Sequence, residues 1–582
     1  MAAKLPGWAG EMKQVFKSGS VSQFLIHGAV YDLVPYKNSK GETVFLGLKQ
    51  FLEQVMLQSF HVVLRYDRGT GIQVVKGLQL FQAFLKSYDE WNGTNYARSP
   101  AAIPHQPELA LGLLDRFLDW ASIQSQIVDG ELKKSPVHVA LLVDYVHFVA
   151  PRGGSVQISG QHGQSVIRLL DWSRDPALVD AHHLTVLITE NLADLHTALS
   201  DNPYSARIHI ELPKLPELQS FVDALIDSDP GIKKCLKVDA TVLAQRSVGL
   251  SRVNLRNALQ LAARNNKKID HEYLIKKRRE LIEKECQGLL DFVESPFTLD
   301  NVAGHVEAKK WLREDAQLIQ AGQLRSIPMG YLICGRIGTG KTFVTTCWAG
   351  EIGIPCVVLK NFRDKWQGST EGNLEKIFGI LRALGQVLVF VDEADQATGR
   401  RESGAGDSGL SGRVYAMMAK EMSNTQNRGK IIWVFATSRP DLLEVDLKRP
   451  GRLDVHIPLF APQNDKERAG LFKAMAKKLK VKTGTLPAIP ADFDIGGNEM
   501  EAMIVRANRR FDLQKGKKKS YKRLLTEVMA DYRTMAHRSK LEYMDMVAVK
   551  ECTDSRFLPP AYRKLTLDQV EQRILELEPH MR

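Results

Sequence analysis

Short apolar runs alternate with longer amphipathic stretches along the whole chain. The runs have the length of strands and are rich in β-branched and aromatic residues, whereas the stretch at 46–57 places apolar residues at helical spacing. Such alternation predicts a mostly parallel sheet covered by helices, with its ligand-binding edge at the carboxyl ends of the strands. In the first half the predicted strands lie at 24–30, 61–67, 137–144 and 185–191.

This pattern occurs twice. Four segments of the first half have counterparts in the second half, in the same order, which predicts two tandem α/β domains. The strand that ends in Asp144, VHVALLVD, matches VLVFVDE at 387–393, although Tyr145 replaces the second carboxylate. The other pairs are 185–191 with 431–438, 205–213 with 451–459, and 248–264 with 495–510.

The segment YLICGRIGTGKT at 331–342 contains a strand-like run, then Gly335, four residues, and Gly340-Lys341-Thr342. Glycines at these positions let several backbone N–H groups and a helix N-terminus face a polyphosphate. Lys341 would reach the β- and γ-phosphates, and the Thr342 hydroxyl would bind Mg²⁺. Because a helix-like run follows directly, the spacing predicts a phosphate-binding loop (P-loop) for a nucleotide.

A second motif lies at the end of another predicted strand. The apolar run at 387–391 ends in Asp392 and Glu393, and in a parallel sheet this pair would lie beside the P-loop. The motif predicts that Asp392 holds Mg²⁺ and that Glu393 orients or deprotonates the attacking water.

The first half contains the tripeptide Gly69-Thr70-Gly71, which we align with Gly338-Thr339-Gly340 of the P-loop. In this alignment Ile72 and Gln73 replace the lysine and the threonine. A site altered in this way lacks the phosphate lysine and the Mg²⁺ hydroxyl, which predicts a degenerate first half that binds no ATP.

Composition and charge indicate an ordinary globular protein. The net charge of +12 comes from 79 Lys and Arg against 67 Asp and Glu, and the six cysteines show no metal-binding spacing, which predicts reduced thiols in a cytoplasmic protein. No run is long and apolar enough for a membrane span. The charged segment 271–294 predicts an exposed helical connector, and 565–577 predicts an amphipathic helix that docks on a neighbour. Basic runs at 276–279 and 515–523 leave nucleic acid open as a partner.

The second half resembles the AAA+ ATPases, and within them the group that includes katanin, spastin, FtsH and valosin-containing protein. The resemblance covers about 297–510. Besides the P-loop and the acidic pair, it rests on FTLDNVAG at 297–304 with Glu-Ala-Lys at 307–309, ATSRPDLL at 436–443, and LKRPGRLD at 447–454.

The resemblance implies tandem P-loop NTPase-like domains of parallel α/β type, each with a small helical lid, of which the first is degenerate. It also implies ATP and Mg²⁺ as ligands. The expected divisions are a degenerate domain with its lid at 1–265, a charged helical connector at 266–296, an ATPase core at 297–462, and a lid with a basic extension at 463–582.

Roles for individual residues follow from the same resemblance. Ser438 would stand at the sensor-1 position, where the family usually has Asn, and its hydroxyl can still bond water or phosphate. Arg449 and Arg452 would be arginine fingers that act on the nucleotide of a neighbouring subunit. Nucleotide contacts would come from Val302, Ala303, Gly304, Gly335, Arg336, Ile337, Gly338, Thr339, Gly340, Lys341, Thr342 and Phe343.

The segment Lys365-Trp366-Gln367-Gly368 resembles the family's first pore loop, in which an aromatic residue faces a central channel. Trp366 would then contact a threaded polypeptide over a large area without reading its sequence. The glycine- and serine-rich stretch 402–412 matches a second pore-loop region, and Arg413 follows it at a position that contributes between subunits in relatives.

Together these features predict an ATP-driven protein remodeller, and the resemblance implies that it works as a ring, most often of six subunits. Two alternatives stay open at the level of sequence: a nucleic-acid-associated motor or loader, and a scaffold whose assembly is regulated by ATP. A protease of the FtsH kind is not indicated, because the chain contains no H-E-x-x-H motif.

Overall fold

The structure is a computed structural model of the chain. It describes residues 5–38, 41–128, 131–134, 136–153, 160–286, 289–293, 295–360, 370–395, 416–481, 495–514, 519–532 and 537–581. The chain divides into two compact units, which comprise residues 1–282 with 368–383, and residues 283–367 with 384–582.

Unit 1 is built on a six-stranded sheet with the order β10-β1-β9-β8-β4-β5. All neighbouring pairs are parallel except β4 with β5, which form a hairpin at the edge. The pairs β2–β3 and β6–β7 are separate hairpins. The ten strands are β1 Gln23–Gly28, β2 Leu33–Lys37, β3 Thr43–Gly47, β4 Val62–Asp67, β5 Gly71–Lys76, β6 Ser125–Val128, β7 Glu131–Lys134, β8 Val139–Val143, β9 Leu184–Ile188 and β10 Ser205–Ile210.

Helices cover this sheet, and apolar cores lie on both of its faces. A third core belongs to a helical subdomain after β10. The predicted helix at 46–57 is confirmed, but it begins at Leu48 because the residues before Leu48 belong to β3. A π-helical turn at Leu52–Met56 follows its α-helical part. The α-helices are Gly7–Lys17, Leu48–Phe51, Leu78–Asn92, Pro107–Ser122, Gly160–Arg174, Pro176–Asp180, Thr197–Ser200, Leu215–Ser228, Pro230–Cys235, Ala240–Arg246, Arg252–Arg264, His271–Glu285 and Thr370–Leu384.

Unit 2 contains a second six-stranded sheet with the order β11-β13-β14-β15-β12-β16. Its pairs are parallel except β11 with β13. Strands β12, β14 and β15 are buried along their whole length, which explains their continuous apolar sequences. The six strands are β11 Leu290–Val293, β12 Gly330–Cys334, β13 Cys356–Leu359, β14 Val387–Val391, β15 Ile431–Thr437 and β16 Val455–Pro458.

The helices of unit 2 include a bundle that follows the sheet in sequence and has its own apolar core. A further pair of helices is joined by contacts among Tyr543, Met546, Val547 and Leu577. The described α-helices with both ends defined are Val306–Gln320, Lys341–Ile352, Asp465–Lys478, Gly497–Asp512, Tyr521–Asp531, Arg538–Glu551, Pro560–Arg563 and Leu567–Leu577.

The two sheets confirm the predicted repeat. Five parallel strands have the same order in each, β10-β1-β9-β8-β4 in unit 1 and β16-β12-β15-β14-β13 in unit 2, with one antiparallel strand beside the last. The α/β fold with a degenerate first half is therefore as predicted.

One detail of that prediction is wrong. Strand β12, which leads into the P-loop, corresponds to β1, whereas Gly69-Thr70-Gly71 lies in the β4–β5 hairpin. The tripeptide is a β-turn in which the Asp67 carboxylate accepts bonds from the Gly69 and Thr70 amides. Short glycine motifs suit turns as well as P-loops, so the sequence match was misleading.

The connector prediction is wrong in part. The helix ends at Glu285, and Leu290–Val293 forms the antiparallel edge strand of the second sheet. The helix also buries Leu274 in the core of the helical subdomain. Within the described residues, no helix combines the length and apolar character needed to cross a membrane.

Candidate nucleotide site

The P-loop follows β12 at the carboxyl edge of the second sheet. Gly335 has a φ of 135°, and a Cβ there would lie 2.1 Å from the Leu459 carbonyl oxygen, so only glycine fits. Gly340 is left-handed, with a φ of 86°, and caps the helix that begins at Lys341. These two glycines turn the chain from a buried strand into a helix whose first amides face the loop.

The side chain of Lys341 turns back into the P-loop. Its ammonium donates to the carbonyls of Gly335 at 2.7 Å and Arg336 at 3.0 Å. Burial lowers the lysine pKa, and the carboxylates of Asp392 and Asp395 oppose that shift. An ammonium held in a cradle of backbone groups is suited to bind the terminal phosphates of a nucleotide.

The side chains of Thr342 and Asp392, the two predicted Mg²⁺ ligands, are in contact. The threonine hydroxyl donates to Asp392 Oδ2 at 2.8 Å, and the other oxygen of that carboxylate accepts from the Glu393 amide at 3.0 Å. Glu393 has a left-handed φ of 47°, and its side chain is exposed. A non-glycine residue in this conformation is strained, which is common where a side chain must be aimed at a ligand.

A contact that sequence reasoning missed joins the ends of β14 and β15. The Thr437 hydroxyl donates to Asp395 Oδ1 at 2.6 Å, and its oxygen accepts from the Arg439 amide at 2.9 Å. Ser438, the predicted sensor-1 residue, stands between Thr437 and Arg439 in the chain and is half-buried. The motif at 436–443 could have indicated Thr437, but nothing in the spacing indicated Asp395.

A pocket beside the P-loop contains the predicted adenine contacts. His305 lies there in a left-handed conformation, and its Nε2 is 3.2 Å from the Thr339 carbonyl oxygen. Burial lowers the His305 pKa to about 4, so the ring is neutral at ordinary pH. The Gly497 amide donates to the Gly338 carbonyl at 2.9 Å, which joins helix Gly497–Asp512 to the loop. Other lining residues include Val302, Ala303, Gly304, Gly340, Phe343, Pro462, Leu471 and Met475.

Both predicted arginine fingers bond to one aspartate on their own loop. Arg449 Nε lies 3.1 Å from the Asp446 carboxylate, and Arg452 Nη1 donates to the Asp446 carbonyl at 2.6 Å. Arg449 is exposed, with 68% of its side-chain surface accessible. An exposed guanidinium held by a short loop is suited to act on another molecule.

Several predicted residues fall outside the described residues. These are the first pore-loop segment Lys365, Trp366, Gln367 and Gly368, the glycine-rich stretch 402–412 with Arg413, and 515–518 of the second basic run. Their roles stay predictions.

Comparison with known proteins finds three family matches along the chain. Residues 2–211 match the family described as AAA+ chaperone, N-terminal Rossmann-like domain, and 218–287 match AAA+ chaperone, second helical domain. Residues 331–460, which contain the P-loop and both acidic residues, match the ATPase family associated with various cellular activities (AAA). The chain therefore contains two AAA+ chaperone domains followed by an AAA ATPase domain.

Curated AAA relatives are similar to about a third of this chain. The cell division cycle protein 48 homolog of Archaeoglobus fulgidus is 31% identical over 170 residues, which are 29% of this chain and 23% of the relative. The ATP-dependent zinc metalloprotease FtsH 1 of Salinibacter ruber is 30% identical over 199 residues, which are 33% of this chain and 29% of the relative. The peroxisomal ATPase pex6 of Schizosaccharomyces pombe is 30% identical over 209 residues, which are 34% of this chain and 22% of the relative. The chain thus spans less than a third of each of these relatives.

In the AAA domain the residues present fit a Mg²⁺-nucleotide. Thr342 and Asp392 provide oxygen ligands in contact with each other, which is the donor type that Mg²⁺ prefers. Lys341 and the loop amides provide complementary positive charge for phosphates.

Among the described residues of unit 1, the matching edge of the first sheet lacks this constellation. Asp144 follows β8 as Asp392 follows β14, and Tyr145, with a φ of 50°, repeats the left-handed backbone of Glu393. The Tyr145 amide donates to Asp144 Oδ1 at 2.9 Å, which repeats the bond at Glu393. Instead of a threonine hydroxyl, the Lys49 ammonium contacts the Asp144 carboxylate.

Proposed function

We propose that this chain hydrolyses ATP at the P-loop of unit 2 and uses the energy to remodel proteins. The observation that carries the proposal is the contact of Thr342 with Asp392, beside Lys341 inside its glycine loop. These groups would hold the phosphates and the metal, and bound Mg²⁺ would neutralise phosphate charge.

Hydrolysis requires a base or orienting group for water. Glu393 is exposed at the carboxyl end of β14, and its strained backbone is fixed by the bond from its amide to Asp392. In our proposal its carboxylate orients the water and accepts its proton, while Ser438 and the Asp395–Thr437 pair support the γ-phosphate side.

Assembly would complete the site. We assign Arg449 and Arg452 to the nucleotide of a neighbouring copy, because both bond only locally to Asp446 in the contacts described and Arg449 is exposed. A guanidinium stabilises the charge that develops on the transferred phosphoryl group. Family resemblance favours a ring, most often of six copies.

Remodelling rests on Trp366 and on the matches to AAA+ chaperone domains. An aromatic side chain in a central channel would grip an extended polypeptide, and nucleotide-driven movement of the loop would pull it. Unit 1 would dock the substrate or stabilise the ring.

The test pairs two variants on a fluorescent protein that carries an unstructured tail. Glu393→Gln should bind ATP but hydrolyse it at least 100-fold more slowly, because the base is lost. Trp366→Ala should keep basal ATPase within about twofold and lose unfolding of the tagged protein. Unchanged hydrolysis in Glu393→Gln rejects the assigned base, and unchanged unfolding in Trp366→Ala rejects threading. Salt-sensitive stimulation of ATPase by DNA or RNA would favour the nucleic-acid alternative.

A further inference from the structure

A buried ion pair joins the P-loop to a helix far along the chain. Arg336 directly follows Gly335, and its Nη1 lies 3.4 Å from Oδ2 of Asp545, 209 residues later. Arg336 is 6% exposed and Asp545 is 5% exposed. Separating charges at such depth is costly, so this pair fixes the loop to helix Arg538–Glu551.

The same helix contacts the sensor-1 turn. The Tyr543 hydroxyl lies 3.3 Å from Asp441 Oδ2, and the Arg439 guanidinium lies over the Tyr543 ring at 5.2 Å. Arg439 and Asp441 also bond to each other through two oxygens, at 3.0 and 2.7 Å. This cluster holds the backbone that immediately follows Ser438.

The end of the helix contacts the arginine-finger loop. Lys448, which immediately precedes Arg449, lies 2.5 Å from Glu551 Oε1 and donates to the Pro440 carbonyl at 3.0 Å. The Glu551 carbonyl lies 2.8 Å from Nδ1 of His456 in β16. The finger loop is therefore tied to the helix by a half-buried ion pair and by the adjacent strand.

A second helix braces the first. Helix Leu567–Leu577 packs against it through an apolar cluster that contains Tyr543, Val547 and Leu577. On the outside, Arg573 bonds to Glu542 at 2.8 Å, and Lys550 pairs with Glu571 at 2.8 Å. Apolar packing makes helix Arg538–Glu551 a fixed support rather than a loose appendage, and the two exposed ion pairs add little to it.

We infer that helix Arg538–Glu551 positions the catalytic loops of the ATPase, with Asp545 acting on the P-loop through Arg336. Tyr543 and Glu551 extend the same support to the sensor-1 turn and the finger loop. The helix lies outside all three ranges matched by the family comparisons. Its contacts with the P-loop, the sensor-1 turn and the arginine-finger loop connect the phosphate-binding loop of one subunit to the loop that would act on the nucleotide of the next subunit. This inference rests on the proposed ATPase function.

The test compares ATP hydrolysis by the full chain carrying Asp545→Asn with the wild type. We expect at least a tenfold loss in kcat/KM, because the buried guanidinium loses its counter-charge and the loop loses its anchor. In an Arg336→Gln background, Asp545→Asn should have a much smaller effect than in the wild type, since both changes remove the same ion pair. Glu542→Gln, on the same helix, removes only the exposed pair with Arg573 and should stay within twofold.

Three results would overturn the inference. These are a wild-type kcat/KM in Asp545→Asn, independent and multiplying effects in the double variant, and tighter ATP binding, which would mean that Asp545 merely competes with phosphate. If Asp545→Asn does not fold, Asp545→Glu is used instead, because it keeps the negative charge. Adding Arg336→Gln should then lower kcat/KM by a smaller factor in the Asp545→Glu variant than in the wild type. Absence of hydrolysis in the wild type would instead refute the proposed function.

Discussion

Lys49 forms an ion pair with Asp144, a carboxylate that is 1% exposed at the carboxyl edge of the first sheet. Lys49 is the second residue of its helix, as Thr342 is the second residue of the P-loop helix. Where unit 2 places a hydroxyl and a carboxylate that could share Mg²⁺, unit 1 therefore places a side-chain cation. The lysine supplies internally the charge that a metal would supply, which explains how a degenerate site keeps its buried acid.

Lys49→Met should destabilise unit 1, because it leaves the Asp144 carboxylate buried without its counter-charge. A loss of about 2 kcal/mol is expected, because Asp144 is buried but 37% of the Lys49 side chain is exposed. Hydrogen exchange of the Val139–Val143 amides measures it. Adding Asp144→Asn should recover most of the loss, and Lys86→Met, at an exposed position, is the control. No recovery in the double variant would contradict the pairing.

Unit 1 should lose stability as the pH falls from about 6.5 to 4. Nδ1 of the buried His183 accepts from the Val139 amide at 3.1 Å, and Nε2 lies 2.8 Å from the Ser122 hydroxyl. Burial lowers the His183 pKa to about 4, so in this window the unfolded chain binds a proton that the folded chain does not. The loss should approach about 3 kcal/mol.

Urea unfolding at pH 7 and pH 5, followed by pulsed exchange of the β8 amides, tests this dependence. His183→Asn should be less stable at pH 7 and should show a shallower dependence on pH, because one titrating group has been removed. An equally steep dependence in the variant would assign the effect to other groups.

Mixing two inactive variants should restore ATPase if the arginines act between copies. Lys341→Ala lacks the P-loop lysine but keeps its fingers, whereas Arg449→Ala/Arg452→Ala has the reverse defect. Random assembly makes roughly a quarter of the interfaces complete, so activity should return to about that fraction of wild type. Mixing each variant with itself is the control. A mixture as inactive as its components would place the arginines in the site of their own subunit.

Much of this organisation could be predicted from local sequence. The P-loop and the acidic pair can be recognised from a few consecutive residues, because phosphate and metal binding require particular residue types at fixed spacing. Continuous apolar runs revealed β12, β14 and β15, since strands buried on both faces have no polar side. The repeat followed from the order of these runs.

The remaining features depend on distant packing. The hairpin β2–β3 separates Gly28 from Lys49, so the first-half counterpart of the P-loop shows no contiguous motif. Asp545 meets Arg336 across 209 residues, and no local sequence motif encodes a contact at that separation. Gly69-Thr70-Gly71 misled because a tight turn and a P-loop both use glycine for positive φ.

The most direct test of one working site per chain is the stoichiometry of ATP binding. Calorimetry on full-length Glu393→Gln, which keeps the P-loop and slows turnover, should show one ATP bound per chain in Mg²⁺. Adding Lys341→Ala should abolish binding, because unit 1 has neither the P-loop nor its lysine. Two ATP per chain, or one ATP retained in the Lys341→Ala variant, would contradict the account.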